Sequence, residues 1–352
     1  MTNRVTLKDV ATEAGVSYQT VSKVINRQVK ISEDTEARIW DVIHRLDYHP
    51  NQIARNLRSQ RTRLIGYSWE PSLPDQTNAI LDQFLQSMAQ EAEKSEYHIL
   101  CFPHRAGQET LSDYQKLIDT NRVDAFVISS VGYDDPRISY LQQRDFPFIA
   151  FGRSNPGLDF PYVDVDGGDG TRQLVEHLLE QGHRQIAALA WPENSRVGQN
   201  RMDGFLSGIL KAGLQPDPSI IIRCEGNFNA GKQGATILLD RPLKYRPTAI
   251  VAFNDFQAIG AMNAALERGL CVGKDIAITG FDDIPMTQYL TPPLTTVRQP
   301  IWEVGQRVIE ILLSILEGDQ AGETHLTLLP HLIVRQSSSW LGDVLKRECV
   351  IH

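Results

Sequence analysis

Four polar residues of this 352-residue chain lie where a short apolar segment ends or a helix begins: Arg201, Asn254, Asp255 and Asp282. A carboxylate or a guanidinium plane can bridge two adjacent hydroxyl groups, which suits the binding of a polyol such as a sugar. Ordinary structural interpretations also exist, because Asp255 could cap a helix and Asp282 could occupy a turn. Whether each residue binds a ligand or has a structural role therefore depends on the helices and strands that position it.

Signatures of catalysis and of metal binding are missing from the sequence. It contains no Gly-rich phosphate loop ending in Lys-Ser/Thr, no H-E-x-x-H and no G-x-S-x-G. The four cysteines, Cys101, Cys224, Cys271 and Cys349, are far apart and form no C-x-x-C pair, which argues against a zinc site or a disulfide framework. We expect no enzymatic activity, no cofactor and no metal.

Charge is distributed unevenly along the chain. Residues 1–63 contain 11 Lys and Arg against 7 Asp and Glu, whereas the remainder contains 24 against 36. A basic head on an acidic body indicates nucleic-acid binding, although a solvated helical headpiece would carry the same charges. The apolar runs are much shorter than the ~18 residues of a membrane helix, and the N-terminus is polar. We expect a cytoplasmic protein without an anchor.

Two short helices joined by a tight turn are predicted near the N-terminus. Thr6 precedes the helical segment LKDVATEA, with Asp9 three residues later, and Gly15 supplies a left-handed stop. Ser17 caps the next segment, YQTVSKVIN, only two residues after that glycine. The short AGVS turn requires a steep angle between the helices, so this spacing predicts a helix-turn-helix unit.

An apolar seam is expected to hold the helix pair together and to leave Tyr18, Gln19 and Lys23 facing outward. The seam consists of Val10, Ala14, Val16, Val21 and Val24 or Ile25. Ser32 caps a third predicted helix, EDTEARIWDVIHRLDY, whose apolar side covers the pair with Ile39, Ile43 and Leu46. Pro50 ends this pattern, and the basic stretch NQIARNLRSQRTR follows as a linker.

Short apolar runs alternate with helical stretches from Leu64 onward. The predicted strands are LIGYS, YHILCF, AFVIS, FPFIAFG, QIAALA, IIIR, AIVAF and AITGF. The predicted helices between them lie near 79–94, 111–120, 169–181, 204–212 and 255–268. This alternation predicts two α/β subdomains with parallel sheets, and ligands of such sheets bind outside the carboxyl ends of the strands.

These segments resemble the lac repressor family of bacterial transcription regulators. The resemblance covers the first 66 residues, in VTLKDVATEAGVSYQTVSKVINRQVKIS and RLDYHPNQIARNLRSQRTRLIG. It continues to about Arg335 in DGTRQLVEHLLEQGHRQIA, NRMDGFLSGI, AFNDFQAIGAM, DIAITGFDD and LTPPLTTVRQP. It implies a helix-turn-helix headpiece and a hinge helix, followed by a two-subdomain α/β core like that of periplasmic binding proteins. Such a core shifts its subdomains when an effector binds.

The resemblance also implies roles on DNA. Tyr18, Gln19 and Lys23 would contact base edges in the major groove, although the lac repressor has arginine where this chain has Lys23. Leu57 would be pushed into a minor-groove step, unless it packs in the core, and the neighbouring hinge positions are Ala54, Arg55 and Arg58. Contacts to phosphate are expected from Thr6, Ser17, Thr20, Ser22 and Asn26.

For the effector, the resemblance implies a crevice lined by Arg201, Asn254, Asp255 and Asp282. Phe228 matches an aromatic residue of the family, with core packing as its alternative, and Trp69 follows the first predicted strand. Their faces could cover the apolar side of a sugar ring. Arg153 stands where the lac repressor has an aspartate, so a donor replaces an acceptor and the effector is expected to differ.

The expected organisation is a headpiece at 1–49, a hinge at 50–63, a core at 64–340 and a short tail at 341–352. Within the core, one subdomain comprises 64–163 and 292–324, and the other 164–291 and 325–340. The last 13 residues, WLGDVLKRECVIH from Trp340, contain Gly342 and fewer than two heptads, so a dimer on a pseudo-palindromic operator is expected and not a tetramer.

The predicted function is a repressor whose operator affinity is changed by a small-molecule effector, with a sugar as the expected effector. A purine-type corepressor remains an alternative within this function. A soluble solute-binding protein without DNA function and an α/β enzyme with a DNA-binding appendage are alternatives of other classes. The predicted helix-turn-helix argues against the first, and the missing catalytic motifs argue against the second.

Overall fold

The computed structural model describes residues 5–25, 31–48, 61–69, 78–103, 111–319 and 322–339. The chain forms two compact units, which divide between Thr62 and Arg63. No helix within these ranges is both long and apolar enough to cross a membrane.

The first unit contains the three predicted helices: α1 (Leu7–Glu13), α2 (Tyr18–Ile25) and α3 (Glu33–Arg45). Thr6 and Asp9 form a reciprocal capping box that begins α1. After α1, Gly15 adopts φ +65°, a left-handed conformation that lets the chain turn into α2. Buried side chains from all three helices form one small core: Val10, Ala11, Ala14, Val21, Val24, Ile39, Val42, Ile43 and Tyr48. The predicted seam is confirmed.

The second unit alternates strands and helices. Its first half contains β1 (Leu64–Trp69), α4 (Ala79–Glu93), β2 (His98–Pro103), α5 (Ser112–Asp119), β3 (Ala125–Ile128), α6 (Pro136–Gln143), β4 (Phe148–Phe151), β5 (Tyr162–Val165), α7 (Gly167–Glu180), β6 (Ile186–Ala190) and α8 (Arg196–Lys211). Its second half contains β7 (Ile221–Arg223), α9 (Phe228–Leu239), β8 (Ala249–Ala252), α10 (Asp255–Leu266), β9 (Ala277–Thr279), β10 (Thr296–Arg298), α11 (Ile301–Glu317), β11 (His325–Leu328) and β12 (His331–Ile333).

Two parallel sheets organise this unit. The first has the order β11-β5-β4-β3-β1-β2, and the second has the order β7-β6-β8-β9. Helices cover both faces of each sheet, which explains why strands such as β3 and β8 are apolar at every position. Helices α7 and α8 approach so closely that a Cβ on Gly204 would lie 1.9 Å from the Gly168 carbonyl oxygen.

The boundaries between the subdomains differ from those expected. Residues 325–328, assigned to the second subdomain from sequence, form β11 of the first sheet, with Leu326 opposite Val163. Conversely, β10 pairs antiparallel with β12 beside the second sheet, with Val297 opposite Leu332. The chain therefore crosses between the subdomains after β5, after β10 and after β11. The crossing strands are only three or four residues long, too short to be assigned to a sheet from their pattern.

Two of the four cysteines, Cys101 and Cys224, are free thiols of the second unit. Cys101 is exposed, and Cys224 is partly buried.

Candidate functional site

A cavity of about 910 Å³ lies between the two sheets of the second unit. Its walls are the segments that follow the strands, which is where parallel α/β sheets bind ligands. The first subdomain contributes, among others, Ser130 after β3, Arg153 after β4 and Asp164 on β5. The second subdomain contributes Trp191 after β6, Arg196 and Arg201 on α8, Phe228 on α9, Asn254 after β8 and Asp282 after β9.

Arg201 is the most deeply buried charged residue lining the cavity, with 4% of its surface exposed. Its guanidinium donates to the carbonyl oxygen of Phe253 and, at 3.4 Å, to Asp282 Oδ1. The same group lies over the ring of Phe281 at 3.8 Å and faces that of Trp191 at 4.9 Å. Burial lowers the pKa of Arg201, and Asp282 opposes this effect. The planar cation is thus fixed between two aromatic rings.

Asp282 lies in the segment that follows β9, where it adopts φ +116° and Asp283 adopts φ +51°. Gln299 donates to Asp282 Oδ1 at 2.7 Å, in addition to the bond from Arg201. Burial raises the pKa of Asp282, while Arg201 lowers it. Asp283 anchors this segment through Arg335, 2.7 Å from its carboxylate. The Asp282 carboxylate is therefore held at the cavity wall.

Asn254 begins α10 as its cap. Its Oδ1 accepts from the Gln257 backbone N at 2.8 Å, and its Nδ2 donates to the Gly226 carbonyl oxygen at 2.7 Å. This second bond ties the segment before α9 to the end of β8. Asn254 lines the cavity, and its position is determined by the helix that it caps.

Two buried donors at the cavity have no hydrogen-bond partner in the described part of the chain. They are Trp191 Nε1 and Arg201 Nε. Buried polar groups are nearly always satisfied, and leaving one unsatisfied costs about 1–3 kcal/mol. Both residues line the cavity, and these two nitrogen atoms themselves are buried within its wall.

The first unit presents a separate polar surface. Tyr18, Gln19 and Lys23 are exposed on α2, whereas Val21 and Val24 on the opposite side are buried. Ser17 Oγ accepts from the Thr20 backbone N at 3.1 Å, which starts α2. The exposed face thus projects amide, phenol and ammonium groups from the second helix of a helix-turn-helix, an arrangement that fits the major groove.

Family models match both units. One described as "Bacterial regulatory proteins, lacI family" matches residues 6–51, and one described as "Periplasmic binding protein-like domain" matches residues 175–338. The HTH-type transcriptional repressor CytR of Escherichia coli strain K12 is 31% identical over 339 residues, covering 95% of this chain and 96% of CytR. This chain belongs to the lacI family of bacterial regulatory proteins.

Other members of the lacI family are similar over most of the chain. The HTH-type transcriptional repressor PurR of Haemophilus influenzae is 30% identical over 94% of this chain and 98% of its own length. Relatives of this kind are DNA-binding transcription regulators, so the chain is a transcription regulator with an effector-binding core and not an enzyme.

Solved structures agree with this membership. A lacI-family regulatory protein from Chloroflexus aggregans is 50% identical over 79% of this chain and 99% of its own, with a TM-score of 0.75. The lac repressor dimer bound to operator and the anti-inducer ONPF is 30% identical over 96% of this chain and 100% of its own, with a TM-score of 0.82. The CelR–cellobiose complex is 27% identical over 95% of this chain and 100% of its own, with a TM-score of 0.72.

Five of the seven residues expected in the effector crevice of this lacI-family core line its cavity: Arg153, Arg201, Phe228, Asn254 and Asp282. Trp69 ends β1 with 41% of its surface exposed and is not part of the lining. Its strand reaches the expected edge of the sheet, but the adjoining segment, 70–77, lies outside the described residues.

Asp255 is a correction to the sequence-based prediction. It is fully buried at the start of α10, and its two oxygens accept from Thr296 Oγ1 at 2.6 Å and the Ile284 backbone N at 2.8 Å. Burial raises its pKa well above the usual aspartate range, and the nearby Asp282 adds to this effect. Asp255 therefore connects α10 to the loop that carries Asp282, and it does not face the cavity.

Several lining residues were not identified from sequence. Asp164, Trp191, Arg196, Asn200 and Gln299 all contribute to the wall. Trp191 directly follows β6, so the rule that selected Asn254 could have found it as well. Gln299 lies between β10 and α11, in a crossing segment that has no sequence signature.

The predicted DNA contacts divide into two groups. Thr6, Ser17 and Thr20 form the capping contacts described above, and Ser22 is partly buried on α2. The predicted contacts of Asn26 and of the hinge residues Ala54, Arg55, Leu57 and Arg58 lie outside the described residues.

Proposed function

We propose that this protein is a dimeric cytoplasmic repressor whose affinity for a pseudo-palindromic operator changes when a carbohydrate binds the cavity of its core. The observation that carries this proposal is the cavity between the two subdomains, which is lined by the polar residues Arg201, Asn254 and Asp282 together with Trp191 and Phe228. The Asp282 carboxylate is oriented by Gln299.

The arrangement favours a ligand with several hydroxyl groups. A hydroxyl both donates and accepts, so neighbouring hydroxyls can accept from polar donors of the wall and donate to Asp282 at the same time. Phe228 lines the same cavity with 37% of its surface exposed and can cover the C–H face of a sugar ring. The similar CelR structure is a complex with cellobiose.

A planar nucleobase is the second candidate. Three aromatic side chains, Trp191, Phe228 and Phe256, line the cavity and could stack on a purine ring. A base has fewer donors for the Asp282 carboxylate than a polyol has, and therefore we favour the carbohydrate. The two ligand classes are separated by the binding screen described below.

Effector binding would act on DNA through the two subdomains. The cavity is lined by both of them, so a ligand that contacts both stabilises one relative arrangement over others. We infer that Tyr18, Gln19 and Lys23 contact base edges, that Thr6, Ser17, Thr20, Ser22 and Asn26 contact phosphate, and that Leu57 with Ala54, Arg55 and Arg58 binds the minor groove. Two headpieces on one palindrome would supply the specificity that a single headpiece lacks.

A thermal-shift screen of the full chain against sugars and nucleobases tests the effector class. A sugar should raise the melting temperature, and fluorescence anisotropy should then show changed affinity for a palindromic operator. Stabilisation by nucleobases alone would favour the purine alternative. Stabilisation by a sugar without binding to any palindrome in a gel-shift assay would indicate a solute-binding protein instead.

A further inference from the structure

The charges around the cavity are not balanced. Its charged lining residues within the described part of the chain are Arg153, Arg196 and Arg201 against Asp164 and Asp282, a net charge of +1. The excess is notable because the protein as a whole carries a formal charge of −8. A neutral sugar would leave this local positive charge uncompensated.

Both cavity carboxylates already have partners. Asp164 Oδ2 accepts from Arg153 Nε at 2.6 Å, and Asp164 Oδ1 accepts from the Val165 backbone N at 2.8 Å. Asp282 is bound by Arg201 and Gln299. Both carboxylates are therefore already bound, and neither forms an ion pair with the remaining arginine of the cavity.

Arg196 is that remaining arginine. Its Nε donates to the Ser154 carbonyl oxygen at 3.0 Å, but it makes no ion pair with any described carboxylate. It is the first residue of the sixteen-residue helix α8, whose cap, Ser195, also lines the cavity. The amino end of a helix carries partial positive charge, which adds to that of the guanidinium.

The contact between Arg196 and Ser154 brings the two subdomains together. Ser154 directly follows Arg153, so Arg196 contacts the backbone next to Arg153, and the cavity is lined by one of these arginines from each subdomain. Arg153 uses its Nε for Asp164, whereas Arg196 uses its Nε for a backbone carbonyl. Both residues keep terminal guanidinium nitrogens, which form the planar fork that binds carboxylate or phosphate.

We propose that the effector is an anionic carbohydrate, either a sugar acid or a sugar phosphate, whose anionic group binds between Arg153 and Arg196. This rests on the proposed carbohydrate function and adds the charge of the ligand. The hydroxyl groups would lie toward Arg201, Trp191 and Asp282, which line the same cavity. An anion that contacts Arg153 and Arg196 would link the subdomains directly, which gives the charge a role in the allosteric response.

The anion subsite is tested with inorganic phosphate as the probe, against sodium chloride of equal ionic strength. Phosphate should raise the melting temperature of the full chain, and Arg196→Gln should weaken phosphate binding roughly tenfold, because a charge-assisted hydrogen bond is lost. Arg153→Gln should act in the same direction. The control is Arg144→Gln, an exposed arginine paired with Asp119, which should bind phosphate as the wild type does. Equal phosphate affinity in Arg196→Gln and the wild type would overturn the proposal.

Matched sets of ligands then distinguish the source of the anion. Glucose, glucuronate and glucose 6-phosphate form one set, and galactose, galacturonate and galactose 6-phosphate form another. Tighter binding of the acid or of the phosphate ester than of its neutral sugar identifies the source, and this preference should disappear in Arg196→Gln. A neutral sugar that binds more tightly than both of its anionic forms would contradict the proposal. If inorganic phosphate binds but no sugar does, the carbohydrate function fails while the anion subsite stands.

Discussion

Replacing Arg201 with methionine tests both the stability of the cavity wall and the response to effector. Methionine is uncharged and matches the aliphatic part of arginine, so it keeps the packing of that part but leaves the guanidinium position between the rings of Phe281 and Trp191 empty. It removes the hydrogen bond to the Phe253 carbonyl oxygen and the contact with Asp282. The variant thereby separates the loss of the guanidinium from the loss of packing.

The expected loss of stability follows from the burial of the ion pair between Arg201 and Asp282. Removing one partner of a buried ion pair costs about 3–5 kcal/mol. Asp282 retains the hydrogen bond from Gln299, and burial already favours its protonated form, so it can take up a proton once the cation is gone. We therefore expect the lower end, a loss of about 3 kcal/mol in the free energy of unfolding. A typical domain has about 5–15 kcal/mol, so the variant should remain folded.

Urea unfolding measures the stability, and operator anisotropy with and without effector measures the response. Arg201→Met should bind operator nearly as well as the wild type but should no longer respond to effector. The control is Arg144→Met, whose exposed ion pair with Asp119 should contribute less than about 1 kcal/mol. Unchanged stability together with a normal effector response in Arg201→Met would refute the role assigned to this residue.

Three further predictions concern the DNA contacts, the buried carboxyl group and the assembly. Gln19→Ala should lose discrimination at one operator position by about 1–3 kcal/mol, whereas Arg58→Ala should weaken binding to all sequences alike; equal losses on operator and random DNA for Gln19→Ala would contradict this. Because the folded pKa of Asp255 is raised, this group binds more protons in the folded state, and its contribution to stability falls as pH rises above the ordinary aspartate value of about 4. Asp255→Asn should remove this decline in urea unfolding measured across pH, and an unchanged slope would show that another group is responsible. Light scattering should give about twice the chain mass of 39.6 kDa, and a stable fourfold mass would contradict the proposed dimer.

Local sequence patterns predicted the three helices of the headpiece and most helices and strands of the core. The capping box of Thr6 and Asp9, the left-handed Gly15 and the apolar seam all act within a few residues, and the structure contains them as predicted. The helices α6, α9 and α11 were not predicted, and α8 begins at Arg196 rather than near Gly204. In α9, Gly231 and Gly234 interrupt the periodic pattern, although both are required by close packing against neighbouring elements.

The candidate site was predictable only in part. Positions near strand ends or helix starts, together with the resemblance to the family, selected Arg201, Asn254 and Asp282, all of which line the cavity. The same criteria selected Asp255, because they cannot distinguish a side chain that points into the crevice from one that points into the protein. That difference depends on one step along the chain at the start of α10, where Asn254 caps the helix and Asp255 turns inward.

The sequence by itself determined the family, the helix-turn-helix and the two α/β series, because these depend on periodicity, caps and turns within short segments. Only the tertiary structure decided which distant residues meet. Arg196 reaches Ser154 across 42 positions, and Arg201 reaches Asp282 across 81. Such contacts depend on where each strand lies in its sheet and on where the chain crosses between the subdomains, and neither leaves a pattern in neighbouring residues. The net charge of the cavity likewise depends on the tertiary structure, because its three arginines and two aspartates come from distant parts of the chain.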